Sequence, residues 1–281
     1  MTAATISLAG KVALVTGAGA GIGRSIAEHF ASLGAQVALL DRHSGRLAEV
    51  GSAFSEKGWD PLLIEADVCD SGSAAAAMAA IETRYGRLDI LVNNAGSTLG
   101  LMKPFEKMQD ADIDALYGVL LKQVFVYTRE AIPLMRRSGA GSIINVSSIE
   151  GYRGLPNLAP YAAFKLGLEG FTKSLALELG KDRIRVNTIA PETTESHSIR
   201  PSEWIAPENQ GRVEEWIPLG RFGRPEDTAG CAVFLATELS GWVSGTTLHC
   251  DGGALAAAGW YRTPDGRWTN TPLVEGSGIG G

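Results

Sequence analysis

A chain of 281 residues that is 45% hydrophobic and 20% charged has enough apolar material for a substantial core, and no run approaches the ~20 apolar residues of a membrane helix. Its formal net charge of -6 and its lack of a basic run exclude a phosphate-backbone footprint, so nucleic acid is not an expected partner. Cys69, Cys231 and Cys250 are too scattered for a disulfide framework or a metal cluster, and with no charged and apolar leader the expected location is a reducing cytoplasm, away from membranes.

In chain order, short β-branched runs alternate with helical patterns. Val12 to Thr16, Ile22 to Leu33, Gln36 to Leu40 and a polar helical stretch to Lys57 come first, followed by Leu62 to Ile64, Ala74 to Tyr85, Ile90 to Val92 and Ile113 to Met135. Ile143 to Val146, Ala159 to Leu179, Arg185 to Ile189, Pro225 to Thr237 and Thr247 to Cys250 complete the series. The alternation predicts an α/β fold with a parallel sheet covered on both faces. No break in the rhythm marks a domain boundary, so one doubly wound domain is expected over residues 1–253, with residues 254–281 as a C-terminal extension.

The first strand runs into Thr16-Gly17-Ala18-Gly19-Ala20-Gly21-Ile22-Gly23, a glycine-rich turn that opens a helix. Glycine allows a tight turn and close backbone approach to a pyrophosphate, and the helix N-terminus supplies free N–H groups. Gly17, Gly21, Ile22 and Gly23 are therefore candidate dinucleotide-binding residues. Asp41 ends the second strand about 20 residues beyond the glycines, where a carboxylate accepts both ribose hydroxyls of an adenosine and repels a 2'-phosphate. That favours NAD; the alternative role for Asp41 is capping the next helix, and Arg42 could pair with a phosphate and soften the preference. Asp67-Val68 and Asn93-Asn94-Ala95-Gly96 fall at the carboxyl ends of the third and fourth strands, the edge where ligands bind in this architecture.

The fifth strand delivers Ser147 and Ser148 to that edge, either of which could instead cap a turn. Tyr161 and Lys165 stand four residues apart at the start of a long helical segment, on one face. An ammonium there can hold a nearby phenol partly ionised, toward the working range of a general acid or base. Ser148 precedes Tyr161 by a loop and can meet it beside a cofactor.

These residues resemble the short-chain dehydrogenase/reductase family. Thr16-Gly17-x-x-x-Gly21-x-Gly23, Asn93-Asn94-Ala95-Gly96, Ser148 and Tyr161-x-x-x-Lys165 occur in its order and spacing, with further similarity in Arg185-Val186-Asn187, Pro218 to Glu226 and Gly245 to Gly253. The resemblance implies a Rossmann-like domain with a seven-stranded parallel sheet and hydride transfer between a nicotinamide and a carbonyl or alcohol carbon. Tyr161 would exchange the hydroxyl proton, Lys165 would lower its pKa and bind the nicotinamide ribose, and Ser148 would orient the substrate oxygen. Thr194, with Ser196, would meet the carboxamide. The resemblance also implies a homo-oligomer, a tetramer or dimer, built partly on the helix that carries Tyr161.

Two positions depart from the family pattern. Leu120 stands where the family carries an asparagine that completes a water relay to the lysine, and Gln123 stands at the usual glycine. A leucine side chain neither donates nor accepts a hydrogen bond, which leaves the residue 120 carbonyl as the relay group if the helix bends there. Glu192 follows Pro191 where the family has glycine, with either an outward or a pocket role open to it. Residues 192–217 read as a lid with Trp204, Ile205 and Trp216 as apolar anchors, or as a surface loop with buried tryptophans, and His197 has no partner at metal-ligand spacing. In the extension, Pro264-Asp265-Gly266 is a turn signal between aromatic positions; packing over a neighbouring subunit, closing a substrate pocket, and disorder past Val274 are all open to this tail. The expected activity is NAD-dependent interconversion of a secondary alcohol and a ketone on an apolar or cyclic small molecule. The competing expectation is a cofactor-binding member with little catalysis, motivated by Leu120 and Glu192.

Overall fold

Seven strands, β1 (Val12–Thr16), β2 (Gln36–Asp41), β3 (Leu62–Glu65), β4 (Ile90–Asn93), β5 (Gly141–Val146), β6 (Ile184–Pro191) and β7 (Thr247–Cys250), form a parallel sheet in the order β3-β2-β1-β4-β5-β6-β7. They belong to a computed structural model that describes residues 6–196, 199–203, 205, 207–257, 259, 261–262, 266 and 268–269. The central strands are near-continuous apolar runs because helices cover both faces; all five residues of β1 are buried. Registers such as Val15 opposite Val92, Asn93 opposite Asn145 and Val146 opposite Ile189 bring the carboxyl ends of the strands to a common edge. The order reverses between β1 and β4, which opens a crevice at that edge.

Helices α1 (Gly21–Ser32), α2 (Ser44–Glu56) and, late in the chain, α8 (Pro225–Ala236) contribute Ile26, Phe30, Phe54 and Leu235 to the core on one face. On the other face α3 (Ser73–Tyr85), α5 (Gln123–Ser138) and α7 (Ala159–Leu179) contribute Ile81, Tyr127, Leu175 and Leu179. The stretch expected as one helix from Ile113 to Met135 is divided into α4 (Asp110–Tyr117), a π turn at Gly118–Lys122, and α5. A short helix α6 (Glu150–Arg153), with no periodicity to announce it, follows the serines at the end of β5. Among the described residues no helix is long and apolar enough to cross a membrane.

Beyond the sheet, the lid stretch holds two 3₁₀ segments, Pro201–Glu203 and Pro207–Glu215. Ile217 is buried with Ile149, Ala190 and Ala254, and Trp216 and Phe222 pack at its margin. Of the expected anchors, Trp216 and Ile205 are described, whereas Trp204 lies outside the described residues, as does His197. In the extension, β8 (Tyr261–Arg262) and β9 (Trp268–Thr269) pair antiparallel, flanking the expected turn at Gly266, and Arg262 donates to the Pro218 carbonyl (3.4 Å). Pro264, Asp265 and everything after Thr269 lie outside the described residues.

A line of buried hydrogen bonds crosses the sheet beneath α5 and α7. Asn93 donates to Thr128 (3.0 Å) and to Asn145 (2.9 Å), Asn145 donates to Thr172 (2.9 Å), and Thr172 and Thr188 share a hydrogen bond (2.8 Å). Buried amides and hydroxyls stabilise only when so paired, and leaving one unpaired costs more than its bond contributes. Replacing Asn145 by alanine strands groups on Asn93 and Thr172. Asn145→Ala is expected to lower unfolding stability in urea by about 1–3 kcal/mol; equal stability would mean the line does not hold α7 to the sheet.

Candidate active site

The glycine turn is built by its neighbours as much as by its glycines. Thr16 at the end of β1 accepts the N–H groups of Asn94 (3.0 Å) and Ala95 (3.1 Å) on its hydroxyl, and the Asn94 amide donates to the Thr16 carbonyl (2.9 Å) and the Gly17 carbonyl (3.3 Å). Asn94 therefore straps the turn to the end of β4. A methyl group at Gly23 would collide with the Gly17 carbonyl and the Asn94 amide, and Gly17 adopts a left-handed φ of 67°. Gly21 faces Ser196, so the start of residues 192–217 lies at the mouth of the turn.

Asp41 accepts the Gly19 N–H on Oδ2 (2.9 Å) and the His43 N–H on Oδ1 (2.9 Å). The carboxylate thus joins the glycine turn to the entrance of α2, whose N-cap is His43 and carries no side-chain cap. Asp67 accepts the Cys69 N–H (2.9 Å) and meets Arg42 (3.4 Å); the Cys69 N–H, with Arg42 in support, keeps its carboxyl below the usual carboxylate range against the opposing effect of partial burial. Arg42 is accordingly paired within the protein. Val68 packs at the margin of the core on the α3 side. The first turn of α1 carries no side-chain cap and no acidic residue, which leaves its N–H groups facing the crevice.

At the end of β5 the two serines separate in role. Ser147 is buried and donates to the Lys165 carbonyl (2.8 Å), fixing α7, whereas the Ser148 hydroxyl stands near the Tyr161 phenol and accepts the Glu150 N–H (3.2 Å). Lys165 lies with its ammonium 5.8 Å from the Tyr161 ring centroid and donates to the Val146 carbonyl (2.8 Å). It is 5% exposed, and burial lowers its pKa from 10.5 to about 8. Tyr161 departs from expectation: burial raises its pKa, the nearby Ser148 hydroxyl works the other way, and Glu150 adds to the rise. The lysine is held by a backbone carbonyl rather than directed at the phenol oxygen, so the expected lowering of the phenol pKa does not occur here.

Ser148, Tyr161 and Lys165 thus converge at the sheet edge that also carries the glycine turn, Asp41 and Asn94. A family model described as enoyl-(acyl carrier protein) reductase matches residues 17–254. The 3-oxoacyl-[acyl-carrier-protein] reductase FabG of Staphylococcus aureus is 38% identical over 244 residues, covering 86% of this chain and 97% of that protein. Nodulation protein G of Azospirillum brasilense is 38% identical over 245 residues, with the same coverage of each. The chain belongs to the short-chain dehydrogenase/reductase family.

Two solved structures illustrate how far this oxidoreductase shares the family fold. A 7α-hydroxysteroid dehydrogenase complexed with NADH and 7-oxo glycochenodeoxycholic acid is similar at a TM-score of 0.82 and 33% identity, covering 88% of this chain and 95% of that one. A Sinorhizobium meliloti protein proposed to be a short-chain alcohol dehydrogenase gives 0.83 and 37%, covering 89% and 98%.

Against the family pattern, the two unusual positions acquire physical roles. Leu120 lies within the π turn, where the Gln123 N–H reaches back to the Gly118 carbonyl and the helix register shifts. The side chain is buried with Leu116, Val119 and Leu158, beside Tyr161. Gly96 leaves a gap bordered by a Leu120 methyl and the Lys165 ammonium, so an apolar wall stands next to the charge. The buried Gln123 amide donates to the Ala95 carbonyl (3.0 Å) and the Val119 carbonyl (3.3 Å), pinning the π turn to the Asn94-Ala95-Gly96 corner.

Glu192 turns inward. It is 7% exposed, and Oε1 accepts Arg153 (3.0 Å) and Thr193 (3.0 Å) while Oε2 lies 2.8 Å from the same guanidinium. Arg153 also grips Glu150 (2.6 Å and 3.1 Å); burial disfavours its charge, but the two carboxylates outweigh that and raise its pKa. Glu192 therefore does not turn outward: it is held by Arg153, which also binds Glu150, a pairing that no spacing in the chain suggests. Thr194 is buried, with its hydroxyl donated to the Glu192 carbonyl (2.9 Å).

The depressed Lys165 pKa has a sign-specific consequence. Between about pH 8 and 10.5 the unfolded chain holds a proton that the folded chain has released, so the penalty for burying the ammonium, fully present below pH 8, is relieved as pH rises. Relative to Lys165→Met, wild-type stability in urea is expected to rise over that window by up to roughly 3 kcal/mol. A pH-independent difference would show that Lys165 is not held in a desolvated site.

Proposed function

We propose that this chain interconverts a secondary alcohol and a ketone with NAD(H), using Tyr161 as the proton-exchanging group. The observation that carries the reading is the convergence of the Ser148 hydroxyl, the Tyr161 phenol and the Lys165 ammonium, the last 5.8 Å from the Tyr161 ring centroid, on the same sheet edge as the glycine turn. A nicotinamide dinucleotide suits the residues present. Gly17, Gly19 and Gly23 let the turn pack against Asn94, Asp41 and its own backbone where methyl groups would collide, the α1 N-terminus is uncapped, and Asp41 closes β2 where a 2'-phosphate would be repelled. Gly17, Gly21, Ile22 and Gly23 would hold the pyrophosphate, Asp41 the adenosine ribose, and Asp67, Val68 and Asn94 would border the adenine side. Thr194 would meet the carboxamide and Lys165 the nicotinamide ribose. The dinucleotide supplies the hydride chemistry.

The chain's own contribution is proton handling and positioning. Ser148 orients the substrate oxygen toward Tyr161, which gives its proton to the developing alkoxide in reduction and takes one from the alcohol in oxidation. Burial holds the phenol in its protonated form, the state needed to donate. Lys165 keeps positive charge near the phenol and carries the proton path onward through a water on the residue 120 carbonyl, a group exposed to a shifted helix register by the π turn. Ile217, Trp216 and Phe222 give the lid side an apolar character, which favours an apolar or cyclic substrate. The relatives named 3-oxoacyl-[acyl-carrier-protein] reductase supply a second candidate class, a 3-oxoacyl thioester.

Cyclic ketones, their alcohols and 3-oxoacyl thioesters, each assayed with NAD(H) and NADP(H) by nicotinamide absorbance, test both the reaction and the cofactor. Turnover with a cyclic ketone and NADH is expected, with Tyr161→Phe reducing kcat at least about 100-fold at unchanged thermal stability. Intact turnover in Tyr161→Phe would overturn the mechanism, preference for NADP(H) the reading of Asp41, and thioester-only activity the substrate class. Leu120→Asn is expected to leave kcat within a few-fold, because a backbone group already serves the relay; a large gain would mean that the water path is impaired in the native chain.

A further inference from the structure

Helix α6 is a single turn, too short to be stable on its own hydrogen bonds, and it begins just after Ser148. Its placement matters because the Glu150 N–H donates to the Ser148 hydroxyl (3.2 Å). A hydroxyl has one proton to give and lone pairs to accept with, and an amide held on the accepting side turns the O–H away from itself. The direction in which Ser148 presents its proton therefore depends on where α6 stands. Backbone bonds hold the start of the turn: the Ile149 N–H donates to the Pro191 carbonyl (3.1 Å) and the Gly151 N–H to the Ser148 carbonyl (3.2 Å). At Gly151 an added methyl group would come within 2.9 Å of the Leu166 backbone, so the turn lies directly on α7.

The far end of the turn is held by charge. Arg153 donates to Glu150 through Nε (3.1 Å) and Nη2 (2.6 Å), a contact inside the turn that ties it to nothing else. The external anchor is Glu192, just past the end of β6, whose Oε1 and Oε2 lie 3.0 Å and 2.8 Å from Nη2. Glu192 is itself fixed, by its N–H to the Cys250 carbonyl (3.2 Å) and by the Thr193 hydroxyl on Oε1 (3.0 Å). Its side chain is only 4% exposed, so water and salt screen its attraction for the guanidinium weakly. A glycine at position 192 has no side chain with which to supply this anchor. We propose that Arg153 and Glu192 are positioning residues: the pair clamps α6 to the end of β6 so that the Glu150 amide aims the Ser148 hydroxyl at the substrate oxygen. The role rests on the alcohol–ketone reaction proposed above and is exerted entirely through Ser148.

Arg153→Met alone would strand a buried carboxylate, so the test uses the full chain carrying Arg153→Met with Glu192→Gln, which removes both charges at similar volume. In hydrogen–deuterium exchange the amides of residues 149–154 are expected to exchange at least about 10-fold faster than in wild type, with α7 unchanged. On a ketone that the wild type reduces, kcat is expected to fall about 10- to 100-fold while KM stays within about 2-fold. Ser148→Ala should cost at least about 10-fold less in the variant than in wild type, because the hydroxyl it removes is already misdirected. Glu192→Gln alone, which leaves Arg153 on Glu150 and loosens only the outer contact, should show the same changes in smaller degree. Unchanged exchange at residues 149–154 would overturn the clamp without any substrate being needed. A rise in KM at constant kcat, or equal Ser148→Ala costs in both backgrounds, would overturn its link to Ser148. A wild type that reduces no ketone, or a fully active Tyr161→Phe, would instead overturn the reaction itself, and the role assigned here with it.

Discussion

Two hydrogen bonds between the end of β5 and the start of α7 set the geometry of the site: Ser147 to the Lys165 carbonyl, and the Lys165 ammonium to the Val146 carbonyl. They run in opposite directions between the same two elements and fix both the rotation and the height of α7. Tyr161, one turn earlier on that helix, has no comparable freedom to move away from Ser148. The buried line from Asn93 to Thr188 fastens the same helix further along, so Tyr161 and Lys165 stand on an element held to the sheet at two levels.

The charge on Lys165 is maintained under unfavourable conditions. One carbonyl, one aromatic ring and a leucine methyl surround it, and little water reaches it. A low local dielectric makes any further polar partner more effective than it would be at the surface. An apolar residue at position 120 intensifies that setting, and the π turn accommodates the side chain while changing how the backbone presents itself. The helix irregularity and the leucine are two aspects of one local solution.

Much of the architecture was legible because its determinants are local. β-branched runs marked the strands, glycine spacing marked the turn, and Tyr161 and Lys165 announced themselves by helical periodicity. The interruption at Gly118–Lys122 was not legible as a π turn, since Val119, Leu120 and Leu121 continue an ordinary helical pattern and the register shift is stabilised by Gln123 reaching Ala95. Ser147 and Ser148 were indistinguishable by type, and only strand alternation against a packed helix gives them different partners. The two-residue strands β8 and β9 are too short to carry a periodicity at all. The direction of the Tyr161 shift was missed because proximity in sequence to Lys165 says nothing about how deeply the phenol is buried.

Glu192 and Arg153, 39 residues apart, form a lock whose halves make sense only together. A glycine at position 192 would leave the guanidinium with Glu150 alone, and a neutral residue at position 153 would leave a buried carboxylate without its counter-charge. Neither single step is an easy path, so the pair constrains which sequences can descend from this one. Lineages that keep the acid should keep the base, and the familiar Pro-Gly corner becomes accessible only through a double replacement.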